Sequence, residues 1–337
     1  MLLRCRKVAT GAAAALAMDL LTAAIAATAT AATAAALIQV RGTPLPGGTP
    51  SGSAQVVLER AAGGDTPVLT FSSARGAVRL LVDTGASSHL VTPALAGRLG
   101  LASEAVAPEA FGLAGAGAGC EGLQVRRAVL PPLRLEGGEA AFSISGAGAL
   151  VLEVGGLPPG IDGVLGAPLL RRLPLWIDPA AERLALGERA LRAADQAAAT
   201  RAAVSVSLPL RWQKGVPLLP LSTTTGPVQA LADTGAEGLF LTPALAVRLR
   251  PQGRATPLRL TGFCGDQTAS RVRLSGLGLP GSAPRGGTDL AAPLEGIVTV
   301  NPIFQALGVE AIVGQELLRR RSQLWRLDAT PPLLLLW

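Results

Sequence analysis

Two aspartates with nearly identical neighbours, Asp83 and Asp233, are the residues whose type and spacing best suit chemistry. Each opens the string D-T-G-A after an apolar run, and residues 83–100 and 233–250 agree at 11 of 18 positions. A single D-T-G indicates only an Asp-initiated turn, which is common. A duplicated string is more informative, because a duplicated fold places equivalent residues about a pseudo-twofold axis, where the two carboxyl groups can face each other.

Two carboxyl groups held about 3 Å apart share one proton, because like charges at that distance cannot both ionise. One carboxylate can then act as general base toward a water molecule, while its protonated partner donates a hydrogen bond to a carbonyl oxygen. Peptide hydrolysis needs this kind of pair when neither a metal nor a covalent nucleophile is used. We therefore expect Asp83 and Asp233 to be the catalytic pair.

The repeat extends beyond these strings and divides the chain. The string V-L-G-A-P-L-L-R-R at 164–172 is answered by I-V-G-Q-E-L-L-R-R at 312–320. The two copies predict an N-terminal lobe at 54–190 and a C-terminal lobe at 204–337. An Ala-rich linker, helical or flexible, joins them at 191–203.

Short β-type runs separated by Gly- and Pro-rich turns dominate both copies. Thr92-Pro93 and Thr242-Pro243 each place a capping residue before a proline at the start of a short helix, and Pro168 opens a third helix in the same way. These patterns predict an all-β, two-lobed fold with two short helices per lobe and an active-site cleft between the lobes.

The chain resembles the aspartic proteases over residues 54–337, most closely the bacterial retropepsin-like proteins that carry two fused copies. The resemblance rests on the two D-T-G-A strings and on the later strings Val164-Leu165-Gly166 and Ile312-Val313-Gly314. It implies that the strands ending in Gly166 and Gly314 cross behind the D-T-G loops and support them in a ψ-shaped arrangement.

The resemblance also assigns active-site loop roles to the three residues after each aspartate: Thr84, Gly85 and Ala86, and Thr234, Gly235 and Ala236. The two threonines would lock the loops to each other, and the two glycines would leave room for water and substrate. The two alanines stand where pepsin-like relatives carry a hydroxyl residue. Without that donor, we expect the aspartate pair to titrate closer to neutral pH than in a pepsin.

Two positions depart from the repeat. Glu237 follows the second D-T-G-A and either raises the pKa of the pair or is a solvated loop carboxylate. Ala311 stands where the first copy has Gly163, which weakens the match of the second supporting strand.

Glycine-rich segments at 111–125 and 260–272 are the candidates for flaps that cover the cleft. They carry Cys120 and Cys264, which occupy equivalent positions of the repeat. These cysteines either form a disulfide that ties the flaps together or remain two separate thiols.

Composition excludes other classes of function. The net charge is +7, but the arginines are scattered and their densest run, Arg319–Arg321, has no interleaved aromatic residues, so we expect no nucleic-acid partner. His89 is the only histidine, so Ser-His-Asp or Cys-His catalysis would have no second His to use, and the sequence contains no credible metal cluster. We expect no cofactor and no metal, and place His89 beside the site.

The first forty residues form a basic start followed by an apolar stretch with a small-residue site at 24–26, a pattern typical of signal peptides. Asp19 is unusual within such a stretch. We expect residues 1–40 to be a signal peptide or an N-terminal anchor, residues 41–53 to be a flexible segment, and the protein to be exported to the periplasm or secreted. Any membrane association would involve residues 1–40 alone.

These patterns together predict an aspartic endopeptidase that acts on peptides or proteins, and a monomer, because one chain carries both halves of the site. The alternative is a catalytically inactive pseudo-protease that binds peptides. A membrane-tethered scaffold is a third interpretation, which depends on the N-terminal segment alone.

Overall fold

A computed structural model describes residues 30–31, 37–41, 44–117, 119–137, 141–200, 206–280 and 293–337. Nearly half of these residues lie in β-strands, and the strands form two large sheets, one in each lobe, a sheet shared by the lobes and a small two-stranded sheet. The all-β, two-lobed prediction is confirmed.

The strands of the first half are β1 (Thr30–Ala31), β2 (Leu37–Val40), β3 (Gly47–Ser51), β4 (Ala54–Val57), β5 (Glu59–Arg60), β6 (Pro67–Ser73), β7 (Gly76–Asp83), β8 (His89–Val91), β9 (Ser103–Ala105), β10 (Phe111–Ala114), β11 (Arg126–Val129), β12 (Leu133–Leu135), β13 (Phe142–Val151), β14 (Gly163–Gly166), β15 (Leu175–Asp178) and β16 (Arg183–Leu186). Those of the second half are β17 (Val206–Pro209), β18 (Arg211–Gln213), β19 (Val216–Thr223), β20 (Val228–Ala232), β21 (Leu239–Leu241), β22 (Gln252–Gly262), β23 (Gly265–Leu274), β24 (Leu277–Gly278), β25 (Leu294–Val298), β26 (Ala311–Val313), β27 (Gln323–Arg326) and β28 (Leu333–Leu336). The helices are α1 (Pro93–Leu99), α2 (Ala167–Leu170), α3 (Glu188–Thr200), α4 (Pro243–Leu249), α5 (Pro302–Leu307) and α6 (Gln315–Leu318).

The central strands of each lobe sheet carry the catalytic candidates. In the first lobe β7, β14, β8 and β13 are neighbours in that order, and in the second lobe β20, β26, β21 and β25 repeat it. The pairs β7–β14 and β20–β26 are parallel. Strands β7 and β20 consist mainly of apolar residues. This is the composition expected of a central strand that is covered on both faces.

A six-stranded sheet joins the lobes, in the order β17, β28, β27, β15, β16, β4. The lobes meet where β15 and β27 run antiparallel, with Trp176 opposite Leu324 and Leu175 opposite Trp325. Both tryptophans are buried. Residues 191–200 of the predicted linker belong to helix α3, whose alanines at 190, 194 and 197 pack against this sheet at helical spacing, and residues 201–203 lie outside the described residues.

The capping patterns account for the helix starts. The hydroxyl groups of Thr92 and Thr242 accept the backbone N–H of Leu95 and Leu245, each at 3.1 Å. The described residues contain one helix more than expected in the C-terminal lobe, α5, which is capped by Asn301.

The N-terminal boundaries need correction. The predicted flexible segment 41–53 contains β3, which pairs with β13 because Thr49 and its neighbours lie on that strand's free edge. Within the predicted leader, residues 1–40, strand β2 is part of the fold and pairs with β10. Among the described residues, no helix is long and apolar enough to cross a membrane.

Candidate active site

Both aspartates lie where a central strand of each lobe ends. Asp83 is the last residue of β7 and lies opposite Gly166 of β14. Asp233 directly follows β20, and its backbone N–H donates to the carbonyl of Val313 at 2.9 Å. The exposed fraction of Asp83 is 5% and that of Asp233 is 0%. The structure therefore brings the two predicted catalytic residues into one buried site between the lobes.

Four hydrogen bonds hold the two D-T-G loops together, and each of them joins Thr84 or Thr234 to a group in the opposite lobe. Each hydroxyl oxygen accepts the other threonine's backbone N–H, at 3.0 and 3.1 Å. Each hydroxyl also donates to a carbonyl of the opposite lobe, Thr84 to Ala232 at 2.7 Å and Thr234 to Val82 at 2.6 Å. All four bonds are buried, so they fix the two loops rigidly across the pseudo-twofold axis.

Gly85 and Gly235 lie against the opposite aspartate. A Cβ atom on Gly85 would stand 2.5 Å from the carboxyl carbon of Asp233, and one on Gly235 would stand 2.3 Å from that of Asp83. The glycines were expected to leave room for water and substrate. In the structure they leave room for the partner carboxyl group.

The two carboxyl groups lie close enough to affect each other's ionisation. Burial raises the pKa of Asp83, while its hydrogen bonds with Asp233 and with the N–H groups of Gly85 and Ala86 oppose the rise. Burial also raises the pKa of Asp233, and the charge of Asp83 and the bond between them raise it further, well above the usual value. The two carboxyl groups therefore share one proton and titrate as a pair, with their first ionisation opposed by burial.

One oxygen of each carboxyl group faces no protein donor. Asp83 Oδ1 and Asp233 Oδ2 are buried and have no hydrogen-bond partner among the described residues. Asp233 Oδ1, by contrast, accepts the N–H of Gly235 at 2.8 Å. The two unpartnered oxygens are the atoms that can hold a water molecule or a reacting carbonyl group.

The supporting strands need Gly166 and Gly314 because the D-T-G-A loops pass directly over them. A Cβ atom would stand 2.6 Å from the carbonyl oxygen of Ala86 in the first lobe and 2.2 Å from that of Ala236 in the second. Those two carbonyls accept the next N–H groups along the chain, those of Ala167 and Gln315. Both alanines are buried. Gly166 and Gly314 therefore lie directly behind the two D-T-G-A loops.

Ala311 does not disrupt the second support. At the equivalent position in the first lobe, a Cβ atom on Gly163 would stand 2.1 Å from the carbonyl oxygen of Leu90. In the second lobe Ala311 lies buried between Ala230 and Leu241 in regular register. The methyl group is accommodated, and the strand still ends behind the aspartate.

His89 is a buried strand residue that acts on the support. Its Nδ1 accepts the N–H of Gly166 at 3.0 Å, and its Nε2 lies 3.2 Å from the carbonyl oxygen of Gly47. These partners select the tautomer protonated on Nε2. Burial lowers the pKa of His89 to about 4, against the weaker opposing effect of the Gly47 carbonyl. His89 therefore stays neutral and holds the first-lobe support in place.

Glu237 has neither of the roles considered from sequence. It is half-buried and accepts the backbone N–H of Asp65 at 2.7 Å and of Thr66 at 2.9 Å, together with the Thr66 hydroxyl. Asp65 and Thr66 belong to the N-terminal lobe, so Glu237 ties the second D-T-G-A loop to the opposite lobe. The repeat gave no sign of this contact, because the counterpart of Glu237 is Ser87, whose hydroxyl bonds to the backbone of Ile38 instead.

Gln315 is a further residue that sequence reasoning missed. Its side-chain amide donates to the carbonyl of Thr234 at 2.7 Å from a buried position. The equivalent residue of the first copy is Ala167, so the repeat carried no signal for it.

The flap candidates differ in form. β22 and β23 form a long hairpin that includes 260–272. In 111–125, by contrast, only β10 is a strand among the described residues, and it pairs with β2. The flap tips meet: Cys264 donates its N–H to the carbonyl of Ala116 at 2.6 Å, and a disulfide joins Cys120 and Cys264, whose Cα atoms are 4.9 Å apart.

A cavity of about 770 Å³ lies beside Ser87 and His89, with Arg171, Arg172 and Gly215 among its lining residues. Among the described residues, no cluster of three or more His, Cys, Asp or Glu side chains could hold a metal ion.

Comparison with known proteins gives one family match. The aspartyl protease family matches residues 71–169, which include Asp83 and its supporting strand. No curated protein matches the chain. Among solved structures, conglutin gamma, a basic 7S globulin from lupine seeds, is similar at 10% identity and a TM-score of 0.49, over 84% of this chain and 94% of that one. Basic 7S globulin from soybean is similar at 10% identity and a TM-score of 0.43, over 87% of this chain and 95% of that one. The resemblance to the aspartic proteases is confirmed by residues 71–169, which match the aspartyl protease family.

Proposed function

We propose that the protein is an aspartic endopeptidase that hydrolyses peptide bonds with water activated between Asp83 and Asp233. One observation carries the proposal: two buried carboxyl groups at the strand ends of two lobes each lie against the glycine of the opposite D-T-G loop. Burial and the charge of one group on the other oppose ionisation of both, which provides one base and one acid in the same site.

A pair that shares one proton supplies one base and one acid, and the proposed cycle makes Asp83 the base and Asp233 the acid. Asp83 is the charged member and removes a proton from the attacking water, while Asp233 gives its proton to the oxygen of the scissile carbonyl. The addition forms a neutral tetrahedral diol. Asp83 then returns a proton to the leaving nitrogen, Asp233 recovers one from a diol hydroxyl, and the C–N bond breaks. Both aspartates end in their starting states, so the cycle balances without a cofactor.

A peptide-binding protein without turnover is the second candidate, and two observations favour it. Strand β2 of the chain itself lies between the flap and Ser87, and a disulfide ties the two flap tips together. Both features would slow the entry of a substrate. The intact aspartate pair favours the endopeptidase.

The deciding experiment is cleavage of a mixed peptide library between pH 4 and 7, with and without a statine-type inhibitor. Asp83→Asn and Asp233→Asn should each lower kcat by at least ~10³-fold, because the pair acts as a unit. Circular dichroism should be unchanged, since Asn is nearly isosteric with Asp. Cleavage that survives either substitution would exclude this site as its source, and binding without cleavage would favour the second candidate.

We also propose that the protein is exported, since an oxidising compartment would preserve the disulfide between Cys120 and Cys264. The test is expression of the full chain followed by mass spectrometry of the secreted fraction, which should contain the protein with its N-terminus cleaved and the disulfide formed. Recovery of the reduced protein from the cytoplasm alone would contradict it.

A further inference from the structure

The cavity of about 770 Å³ borders the first active-site loop. Ser87 and Ser88, which directly follow the first D-T-G-A string, line one side of it. Gly215, at the turn between β18 and β19, brings the C-terminal lobe to the same cavity. Sites for small organic ligands have volumes of about 300–1,000 Å³, far more than one inorganic ion needs. The cavity therefore has room for part of a peptide that reaches the active site.

Two consecutive arginines at the end of α2, Arg171 and Arg172, line the cavity and are held in place there. The guanidinium group of Arg171 lies over the ring of Trp212 in the C-terminal lobe, 5.0 Å from its centroid. Stacking uses the face of the guanidinium group and leaves the N–H donors at its edge free. Arg172 gives one N–H to the carbonyl oxygen of Gly48 and keeps its others. Both side chains therefore retain donors for a ligand.

No counter-charge accompanies these arginines. The described residues that line the cavity include no Asp or Glu, and within the described part of the chain neither Arg171 nor Arg172 forms an ion pair. His89 also lines the cavity, but it is buried and neutral. Lys214, exposed and next to Gly215 in the turn, adds a third positive charge. The cavity therefore has a positive potential that favours an anion.

The second copy of the repeat has the same two arginines, at 319 and 320, with their charges balanced. Arg319 pairs with Asp65 at 3.1 Å and with Glu316 at 3.6 Å, and Arg320 pairs with Glu316 as well. Glu237, a third carboxylate, accepts the backbone N–H of Asp65 at 2.7 Å. Three carboxylates therefore lie near the two arginines of this copy.

The first copy has none of these three carboxylates. Gly215 follows the aspartate by 150 residues, the spacing between the two catalytic candidates, and Ser87 precedes Glu237 by the same 150. Pro168 stands at the position of Glu316. All three replacements line the cavity, and a Cβ atom on Gly215 would stand 3.8 Å from that of Ser87. By the symmetry of the repeat, the cavity lies where the second copy has acidic side chains.

We propose that the cavity is an anion-binding subsite, in which Arg171 and Arg172 hold the carboxylate of an acidic residue of a bound peptide. The planar guanidinium group presents paired N–H donors that match a carboxylate. A peptide is the ligand because the cavity continues from the active-site loop and exceeds the size of a small anion. The binding part stands on these contacts alone. Cleavage of the acidic peptide rests on the proposed endopeptidase function.

The probes are fluorescent octapeptides of Ala and Leu, each with one Glu at a different position, and a matched set with Gln in its place. The full chain carries Asp83→Asn, so that no cleavage interferes with binding. By fluorescence anisotropy at pH 7, at least one Glu peptide should bind at least ~10-fold tighter than its Gln counterpart, the ratio expected of one charge-assisted pair.

Two changes should each remove this preference. Arg171→Gln/Arg172→Gln deletes both charges. Pro168→Glu keeps both arginines and supplies the carboxylate that Glu316 supplies in the second copy, so it guards against a general effect of losing the arginines. Arg171→Lys/Arg172→Lys keeps the charge without the paired donors and should retain part of the preference.

The matched control is Arg319→Gln/Arg320→Gln, which makes the same change in charge at the equivalent positions of the second copy. The preference for Glu should survive it, because those arginines are already paired. Equal binding of the Glu and Gln peptides by the parent would overturn the proposal, as would a preference that survives Arg171→Gln/Arg172→Gln. Arginine-dependent binding of succinate or inorganic phosphate, without any preference among the peptides, would assign the cavity to a small anion instead.

Cleavage of the same peptides by chains with both aspartates intact separates this proposal from the proposed function. An arginine-dependent preference in binding without any cleavage leaves the anion-binding subsite standing and removes the endopeptidase. Cleavage of Glu and Gln peptides with equal kcat/KM and equal affinities leaves the endopeptidase standing and removes the subsite.

Discussion

The pKa values of Asp83 and Asp233 differ from those of exposed carboxyl groups because their environment disfavours the charged form. Burial raises the pKa of both groups, and the charge of Asp83 raises that of Asp233 further. A group whose pKa is raised by folding binds more protons in the folded state than in the unfolded chain. The stabilisation of the folded state by the proton on Asp233 is fully present below the ordinary pKa of 3.8. It is lost as the pH rises through the pKa that Asp233 has in the folded protein.

Asp233→Asn should therefore stabilise the protein more at pH 7 than at pH 4. The gain in unfolding free energy should grow as the pH rises between these values, because the parent loses the stabilisation and the variant does not. Denaturant unfolding at both pH values measures it. Asp195→Asn, at an exposed position on α3, is the control and should show no such growth. A gain that is independent of pH would contradict the raised pKa of Asp233.

His89 makes the free energy of unfolding depend on pH in the opposite direction. Its pKa falls from 6.5 to about 4 because it is buried, so the unfolded chain binds more protons than the folded one between these values. The stabilisation is fully present above pH 6.5 and is lost as pH falls toward 4, by up to about 3 kcal/mol. Protonation of Nδ1 also removes the acceptor of the Gly166 N–H.

His89→Asn keeps an acceptor near Nδ1 and removes the titrating group. The variant should be less stable than the parent at pH 7, because its donor toward Gly47 is lost, yet its stability should fall less between pH 6.5 and 4. Denaturant midpoints across this range provide the measurement. Parallel pH curves for the two proteins would show that His89 does not titrate with the fold.

At the scale of elements, the flaps are the parts that must move. Each flap strand makes backbone hydrogen bonds to an N-terminal strand, and the two tips are joined through Cys120 and Cys264. Opening the cleft therefore requires separation of the tips, which the disulfide opposes.

Reduction of the disulfide should raise kcat/KM toward a peptide substrate, because it frees the flap tips to separate. A fluorogenic peptide assay with and without reductant measures the change. The variant Cys120→Ser/Cys264→Ser should match the reduced parent and ignore the reductant. Two results would contradict a restriction of flap opening by the disulfide. One is an equal response of the parent and the double variant to reductant, and the other is a loss of activity on reduction.

At the scale of the molecule, both halves of the site come from one chain. The lobes share the sheet in which β15 pairs with β27, and the threonine bonds and Glu237 link them again at the cleft. Association with a second chain is not needed to complete the aspartate pair.

Specific activity should accordingly stay constant when the protein is diluted from micromolar to nanomolar concentration. Peptide turnover per mole of protein, with sedimentation at the higher concentrations, is the measurement. A fall in activity that follows dissociation of a dimer would show that the aspartates pair between chains.

The sequence alone determined the lobes and the residues at their junction. Duplicated strings make equivalent positions visible, and local rules predict the strands, turns and helix caps around them, as Thr92 and Thr242 show. The glycines of the D-T-G-A and supporting strings were identifiable too, although only the structure revealed that Gly85 and Gly235 lie against the partner carboxyl group.

Tertiary structure alone decided which contacts lie across the cleft. Glu237 and its partner Thr66 are 171 residues apart, and Ile38 is 49 residues from Ser87. The residues next to a loop carboxylate or hydroxyl in the sequence do not indicate which distant group it will hydrogen-bond to. The place of β2 was hidden for the same reason: an apolar segment near the N-terminus has the composition of a leader, and only the free edge of β10 makes it a strand of the cleft.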